Sequence, residues 1–434
     1  MILGMNGVVR KIFLVLMGII ITAILTGTLI STVVRANAGR SDFFALYHAS
    51  RHAMETGRLA DPDSLGYYPP SGRPILMLLS VLPNPHAAIL WWTISVLLHG
   101  TCLYLVIIYL LPDRSRDSWV LAGLVVLAMT PWYVSDLACG NVSSLILASV
   151  VLSFFFFRRG RVWISAFCLG VGIAVKFLPV FLLFYYAIQR RWRAFGVGVL
   201  GSVLVGIIPG LLWFGVVDFG RSWKTWYRFA CGQRTPEAMI LKGEGASYGH
   251  QSLANVLLHT LSRVNAGTRA RPFFINLADI SRAAILKIWY AVVVLSALVW
   301  IYAVWPGRSG SPSLPMIHFA LVGLPMVWFS PHVLSYYLTI LLPAITILIW
   351  SAWEPPAFLQ HHRSRTWIFI AIYWLLCACV TVPYARAYGC YLALVFVLAV
   401  HLVLMGRAMR RQDGKKYEIQ ADEPMSTKGL RDSI

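Results

Sequence analysis

The chain has 434 residues, of which 58% are hydrophobic and only 12% are charged. Soluble proteins carry roughly 25% charged residues, so the composition excludes an ordinary soluble fold and predicts several membrane-spanning helices. The formal net charge of +20 would suggest a nucleic-acid partner in a soluble protein. Here the basic residues lie in short segments between apolar runs, which is typical of topology signals and lipid headgroup contact. We therefore expect membrane lipids, and no nucleic acid, as partners.

The first apolar run covers residues 12–34 and follows Arg10 and Lys11. The triplet at 36–38 imitates a signal-peptidase site, but the run is too long for the apolar part of a signal peptide. The pattern predicts an uncleaved first transmembrane helix.

Three basic clusters, at 158–161, 190–193 and 407–416, set the predicted topology because short basic loops mark the cytoplasmic side. Working outward from them gives about twelve transmembrane helices in the cell membrane, with both termini in the cytoplasm. The predicted spans cover about 12–34, 86–111, 119–138, 142–157, 162–175, 177–189, 194–214, 283–305, 315–329, 336–350, 367–382 and 390–406.

Two long connections, about 35–85 and 215–280, are predicted to be loops on the outer side of the membrane. The apolar segment from Arg73 to Pro83 is only about half a span long, so we expect a helix in or against the outer leaflet. The organisation expected is one helical transmembrane domain over 1–406 and a basic cytoplasmic tail over 407–434, disordered because it is polar and charged.

The polar residues in or beside the predicted spans collect on the outer side. Polar groups at membrane depth tend to face a protein-lined cavity, and acids, histidines and a lysine together suit an anionic lipid-linked substrate. The set comprises Asp42, His48, His52, Asp61, Asp63, Asn141, Lys176, His250, Gln251 and His332.

Asp42 follows the first span directly and has two compatible interpretations. As a general base it would take a proton from an acceptor hydroxyl while that oxygen attacks an anomeric carbon. A phosphate leaving group needs no general acid, so one carboxylate suffices for inversion. As a structural residue Asp42 would cap a helix that begins at Phe43.

Other polar residues also leave alternatives open. Lys176 either extends its ammonium to the membrane interface or neutralises a phosphate. His332 either anchors a span end or contacts a leaving phosphate or the acid. Asp61 and Asp63 flank a proline and form either a turn, which we favour, or part of a divalent-metal site. No paired-cysteine spacing suggests zinc, and no metal site is expected.

The order of several short motifs resembles that of glycosyltransferase family 87, polyprenyl-phosphate-sugar-dependent membrane enzymes of the GT-C type. The motifs are Ser41-Asp42-Phe43-Phe44, Tyr68-Pro69-Pro70, Gly140-Asn141, Lys176-Phe177-Leu178-Pro179, His250-Gln251-Ser252-Leu253 and Ser330-Pro331-His332.

This resemblance implies a GT-C-like helical bundle in which Asp42 is the catalytic base. It implies donor-phosphate or acceptor contacts for Lys176 and His332. The remaining motif residues, Tyr68, Asn141, His250 and Gln251, are expected to bind substrate. Asn141 stands where the family usually has Gln, and His250 where it usually has Asn, so the sugar or acceptor can differ.

The function expected is transfer of a hexose, mannose by default, from a polyprenyl-phosphate donor to a lipid or glycan acceptor, without a cofactor. A transporter or flippase for a lipid-linked or anionic substrate is the alternative, because it would use the same polar cavity without chemistry. Transporters often carry inverted repeats with paired broken helices, and no such symmetry is evident in the sequence.

Overall fold

The computed structural model describes residues 7–58, 68–110, 118–232, 235–243, 249–268, 271–306, 314–330, 333–353 and 363–422. All regular secondary structure in these ranges is helical, which confirms the predicted all-α fold. Within the same ranges, the helices long and apolar enough to cross a membrane are Lys11–Asn37, Asn84–Ile108, Ser118–Cys139, Arg282–Val304, Ser335–Trp353 and Cys390–Arg411. By length and composition these six helices indicate a multi-pass membrane protein.

A seventh candidate is a bent pair, Trp192–Gly206 and Ile208–Ala230, whose halves meet at 57°. The remaining helices are shorter. They are Asp42–Thr56, Arg73–Met77, Ser143–Arg158, Val162–Val175, Val180–Ile188, Pro236–Lys242, Leu253–Leu261, Leu314–Trp328, Arg363–Cys379 and Pro383–Ala387. Single 3-10 turns cover Pro70–Gly72 and Leu78–Val81, and a 3-10 stretch over Ser335–Leu341 leads into the helix Leu342–Trp353.

Every predicted span coincides with a helix, but in the part of the chain that the structure describes only six or seven helices meet the length and composition expected of a span. Val162–Val175 has 14 residues and Val180–Ile188 has 9. At about 1.5 Å per residue these helices reach roughly 21 and 14 Å, less than the 30 Å hydrocarbon core. The count of twelve spans therefore stays a prediction, as does the sidedness of the two long connections.

The break between those two short helices is local in origin. Lys176 has an extended backbone with φ −160° and ψ 135°, and Pro179 precedes the first residue of the next helix. Proline cannot donate to a helix and disfavours helical geometry in the residue before it. The break places Lys176 between two helices rather than on a helix face.

Small residues allow the elements around this break to pack closely. A Cβ on Gly170 would lie 2.5 Å from the carbonyl oxygen of Gly201, so the helices Val162–Val175 and Trp192–Gly206 approach backbone to backbone. Ser71 Oγ donates to the carbonyl of Ala174 at 2.7 Å. These contacts seat the turn Pro70–Gly72 against the end of the helix that leads to Lys176.

Two short elements lie beside that turn. The segment predicted as an interfacial helix forms Arg73–Met77 and the turn Leu78–Val81. Its Leu78 side chain is 76% exposed, whereas Arg73 is only 1% exposed. Met77 packs with Phe219 and Ala53, so the first and second long connections meet each other here.

The last helix runs from Cys390 to Asp422, beyond the predicted span end at residue 406. Residues 407–422 are therefore helical, which corrects the disorder predicted for that part of the tail. Charged and polar residues extend a helix readily once an apolar segment has nucleated it, because elongation costs far less than initiation.

The basic clusters make a direct topology prediction. In a cysteine-free background, Tyr227→Cys is expected to react with a membrane-impermeant thiol reagent in intact cells, and Arg159→Cys only after permeabilisation. Both side chains are exposed, so access alone separates them. Labelling of the Arg159 position in intact cells would contradict the predicted orientation.

Candidate active site

Asp42 is the first residue of the helix Asp42–Thr56, and Ser41 is its N-cap. The Ser41 side chain accepts a hydrogen bond from the backbone N–H of Phe44 at 3.0 Å. The interpretation of Asp42 as the helix cap is therefore wrong, because Ser41 takes that role. The half-buried Asp42 carboxylate is left free to interact with other parts of the chain.

Asn141 holds that carboxylate from a turn 99 residues away. Its Nδ2 donates to Asp42 Oδ2 at 2.6 Å and to the Tyr68 hydroxyl at 2.9 Å. Its Oδ1 accepts from Ser143 Oγ at 3.0 Å. Both amide hydrogens and the amide oxygen are thus engaged, which fixes the orientation of the Asn141 side chain. One carboxylate oxygen of Asp42 is tied to this amide.

The turn that presents Asn141 depends on Gly140. Gly140 has φ +64°, and its N–H donates to the carbonyl of Asp136 at 2.9 Å, which ends the helix Ser118–Cys139. Trp91 Nε1 donates to the Gly140 carbonyl at 3.0 Å. A Cβ at this position would lie 2.6 Å from the Cβ of Phe43, the residue after Asp42.

Gly140→Ala is expected to lower the free energy of unfolding by about 1–3 kcal/mol, since it adds backbone strain and a contact that must displace Phe43. Thermal unfolding of the purified protein checks this. Gly57→Ala is the matched control, because Gly57 has φ +67° but no atom within 4 Å of the added Cβ. If the two changes lower the free energy of unfolding equally, the contact with Phe43 does not contribute to the destabilisation.

Tyr68 connects this acid to a cation. Its ring lies 5.4 Å from Lys176 Nζ, while its hydroxyl accepts from Asn141. Lys176 is 8% exposed, donates to the Tyr337 hydroxyl and lies 3.7 Å from the centre of the Tyr337 ring. Burial, followed by the nearby Asp42 carboxylate, raises the pKa of Tyr68, so its phenol stays protonated at neutral pH.

Further residues at this site were missed by the sequence reasoning. The Tyr336 hydroxyl interacts with the Asp42 carboxylate. Arg73 is buried and interacts electrostatically with Tyr68, and burial lowers its pKa to about 10, so it remains charged at neutral pH. The available signal was adjacency: Tyr336 and Tyr337 follow a motif of the resemblance, and Arg73 opens the apolar segment after Tyr68.

A buried hydrogen-bonded pair lies behind the Gly140 turn. His99 Nε2 and Asp136 Oδ2 are 2.9 Å apart, and both side chains are almost fully buried between two candidate spans. Asp136 is an acid within an apolar helix, which by itself marks a functional candidate, yet it was overlooked. The same residue supplies the carbonyl that ends the helix before Asn141.

Gln251 and His250 do not share these contacts. Gln251 is fully buried, and its Oε1 accepts from the backbone N–H of Tyr391 at 2.9 Å. Its own N–H donates to the carbonyl of Val333 at 2.9 Å. The His250 carbonyl accepts from Asn255 Nδ2. Gln251 therefore joins distant segments, and its expected substrate contact stays a prediction.

Four of the seven predicted site residues come together: Asp42, Tyr68, Asn141 and Lys176. His332, Asp61 and Asp63 lie outside the described residues. The assembled site holds a carboxylate in a fixed orientation and, around Tyr68, the buried side chains of Lys176 and Arg73. Such a site can accept a proton at one point and hold an anion at another.

Comparison with known families places these residues in context. The model of glycosyltransferase family 87 matches residues 67–317, more than half of the chain. The chain belongs to glycosyltransferase family 87. The predicted family resemblance is thereby confirmed. Tyr68, Asn141 and Lys176 lie within the match, whereas Asp42 precedes it and joins the site through its bond to Asn141.

One curated relative is a polyprenol-phosphate-mannose-dependent alpha-(1-2)-phosphatidylinositol mannoside mannosyltransferase from Mycobacterium tuberculosis (strain ATCC 25618 / H37Rv). It is 26% identical over 288 residues, which cover 61% of this chain and 58% of the relative. The match thus spans little more than half of that protein's length. No solved structure matches the chain.

Proposed function

We propose that this family 87 protein is a membrane glycosyltransferase that moves a hexose from a polyprenyl-phosphate donor to a lipid or glycan acceptor. The observation that carries the proposal is the pairing of Asp42 with Asn141 next to Tyr68 and the buried Lys176. A base and an anion-binding cation in one site are the two groups that sugar transfer from a phosphate requires.

Asp42 acts as the general base. Its Oδ2 is held by Asn141, so Oδ1 receives the proton of the acceptor hydroxyl. The acceptor oxygen forms a bond to the anomeric carbon as the bond from that carbon to the phosphate oxygen breaks. The bonding electrons leave with the phosphate, and the configuration at the sugar is inverted. The phosphate is a stable anion and needs no proton from a second carboxyl group.

Lys176 holds the donor phosphate. An ammonium group has three N–H donors, and the Tyr337 hydroxyl accepts one of them. The remaining donors suit phosphate oxygens, and the low exposure of the side chain strengthens the interaction. The cation also stabilises the charge that develops on the leaving phosphate. Arg73, buried and charged beside Tyr68, adds to the positive potential.

Mannose is the default sugar because the relative from M. tuberculosis is named for polyprenol-phosphate-mannose. That relative's name also gives a phosphatidylinositol mannoside acceptor, which makes a glycosylated lipid the first acceptor to test. In this proposal the reaction takes place on the outer face of the cell membrane, and His332 and Gln251 also contact the substrate. No cofactor or metal is part of the proposed mechanism.

Radiolabelled mannose transfer from a polyprenyl-phosphate donor by the purified protein tests the function. We expect incorporation of label into a glycolipid acceptor that depends on both substrates. A transporter or flippase would move the donor across a vesicle membrane without forming a new glycosidic bond. Membership in a glycosyltransferase family supports the enzyme over that alternative. Translocation of the donor without formation of a glycosylated product would refute the proposed glycosyltransferase activity.

Asn141→Ala is expected to reduce kcat by about 10–100-fold, because losing a hydrogen bond to a charged group costs about 1.5–3 kcal/mol. Asn141→Asp should lower kcat further, since it places a second carboxylate against that of Asp42. Ser143→Ala is the graded control, because the Ser143 hydroxyl donates to the amide oxygen of Asn141 and not to the carboxylate of Asp42. Initial-rate kinetics at saturating donor check the order, and unchanged kcat in Asn141→Ala would remove Asn141 from the mechanism.

A further inference from the structure

One side of the helix Asn84–Leu105 carries three buried side chains with polar groups, spaced four residues apart. They are Trp91, Ser95 and His99. Residues four apart lie above one another on a helix, so the three side chains follow one side of it. Buried polar groups require hydrogen-bond partners, and such a series therefore marks where this helix is tied to a neighbouring segment.

All three side chains are tied to the same short segment, residues 136–144, whose turn presents Asn141. The hydrogen bonds join Trp91 Nε1 to the carbonyl oxygen of Gly140 at 3.0 Å, Ser95 Oγ to Ser144 Oγ at 3.1 Å, and His99 Nε2 to Asp136 Oδ2 at 2.9 Å. The beginning, the middle and the end of the segment are thus fixed to one helix.

Asp136 connects His99 to both sides of the turn. Its carbonyl oxygen accepts from the backbone N–H of Gly140 at 2.9 Å and from that of Asn141 at 3.4 Å. Its carboxyl group interacts with the backbone N–H of Ser144, in the first turn of the next helix, where N–H groups have no partner within the helix. A shift of Asp136 would therefore move both sides of the turn.

The position of this turn decides where the Asn141 amide lies. That amide donates to Asp42 Oδ2 at 2.6 Å and to the Tyr68 hydroxyl at 2.9 Å. A displacement of about 1 Å would lengthen both hydrogen bonds beyond their usual range. Errors of that size in the placement of a reacting group can cost about 100-fold in rate.

We infer that Trp91, His99 and Asp136 are positioning residues of the active site. They hold the Gly140 turn where the Asn141 amide orients the Asp42 carboxylate, and they act on the reaction only through Asn141. Their effect on rate rests on the proposed function of Asp42, whereas their hold on the turn does not.

His99→Leu should lower kcat about tenfold, because it removes the hydrogen bond to Asp136. The donor KM should stay within about twofold, since Lys176 is untouched. His99→Gln should restore kcat to within about threefold of the wild type, because its amide group can form the same hydrogen bond. His401→Leu is the matched control. His401 is also buried, and its Nε2 lies 3.1 Å from Ser351 Oγ, so kcat should change less than about twofold.

Trp91→Phe gives a second and milder test, because a buried carboxyl group that loses its partner can prevent folding. It removes the N–H donor to Gly140 and should lower kcat about fivefold. Trp300→Phe is its control. Trp300 Nε1 likewise donates to a backbone carbonyl, that of Leu321 at 3.0 Å, so this variant loses an equivalent bond elsewhere. Its kcat should stay within about twofold of the wild type.

A double-mutant cycle separates positioning from a general structural role. If Trp91 acts through Asn141, adding Trp91→Phe to Asn141→Ala should lower kcat less than about twofold further. The same fivefold loss in both backgrounds would overturn the inference. Wild-type kcat in both Trp91→Phe and His99→Leu would overturn it as well.

Hydrogen exchange of the full-length protein, followed by mass spectrometry, supplies a readout that does not require transfer. The backbone N–H groups of Gly140 and Asn141 donate to Asp136, so a loosened turn exposes them. We expect about fivefold faster exchange there in Trp91→Phe and no change in Trp300→Phe. Unchanged exchange in Trp91→Phe would overturn the inference. Faster exchange in a protein that shows no transfer would refute the proposed function while supporting the hold on the turn.

Discussion

Asp42→Asn is expected to reduce sugar transfer by about two to four orders of magnitude while the fold is retained. Asparagine has nearly the shape of aspartate but cannot take a proton from the acceptor hydroxyl. Ser41 remains in place to cap the helix, so the loss cannot arise from a missing cap. Single-turnover transfer from the polyprenyl-phosphate donor measures the chemical step, and thermal unfolding monitors the fold.

Glu55→Gln is the matched control for this change. Glu55 lies on the same helix as Asp42, and its exposed carboxylate pairs with Arg51, four residues earlier. The same replacement of a carboxylate by an amide there should leave transfer within about twofold, because exposed pairs contribute little to stability. If Asp42→Asn keeps more than about a tenth of wild-type turnover, Asp42 is not the base.

Lys176→Ala is expected to raise the KM for the polyprenyl-phosphate sugar about tenfold, equivalent to about 1.4 kcal/mol, with a smaller effect on the acceptor KM. The physical reason is the loss of a buried ammonium that would neutralise the donor phosphate. Initial rates measured against each substrate in turn separate the two constants.

Lys242→Ala serves as its control, since Lys242 is an exposed lysine in the last turn of Pro236–Lys242. It removes the same charge from the protein without touching the assembled site, so both KM values should stay close to wild type. An equal rise in donor KM for both variants would mean that net charge matters and that Lys176 has no special contact. Efficient transfer from GDP- or UDP-sugars without any polyprenyl phosphate would overturn the donor assignment.

The family match and the local geometry support the site in different ways. The match begins at residue 67 and so carries no information on Asp42. Asn141 lies inside the match and donates to Asp42 directly, which ties the first connection to the family region. Asn141 stands at a position where the resemblance expects Gln. Its shorter side chain nevertheless reaches both Asp42 and Tyr68, because Gly140 brings the turn against Phe43.

Positions of helices were predictable because they depend on neighbouring residues. Apolar runs mark the helices that coincide with the predicted spans, and the proline at 179 and the positive-φ glycine at 140 mark where helices break. The number of true spans was not predictable in the same way. In the apolar helix Ser335–Trp353, 89% of the most apolar stretch is buried inside the protein. In the helix Arg282–Val304, which is also apolar, only 6% of that stretch is buried. Hydropathy measures how readily a segment leaves water. A protein interior and a lipid bilayer both provide apolar surroundings, so hydropathy does not tell a buried helix from a lipid-exposed one.

The amino-acid sequence alone established a helical membrane protein, the family to which it belongs, and the polar residues that deserved attention. Which of those residues meet was decided by packing between segments far apart in the chain. Asp42 and Asn141 are 99 residues apart, and Lys176 and Tyr337 are 161 apart. Periodicity and propensity act over one or two helical turns, whereas such pairs form only when close-packed helices bring their ends together. For that reason Tyr337, Arg73 and Asp136 emerged only from the folded chain, and Gln251 proved to contact other segments.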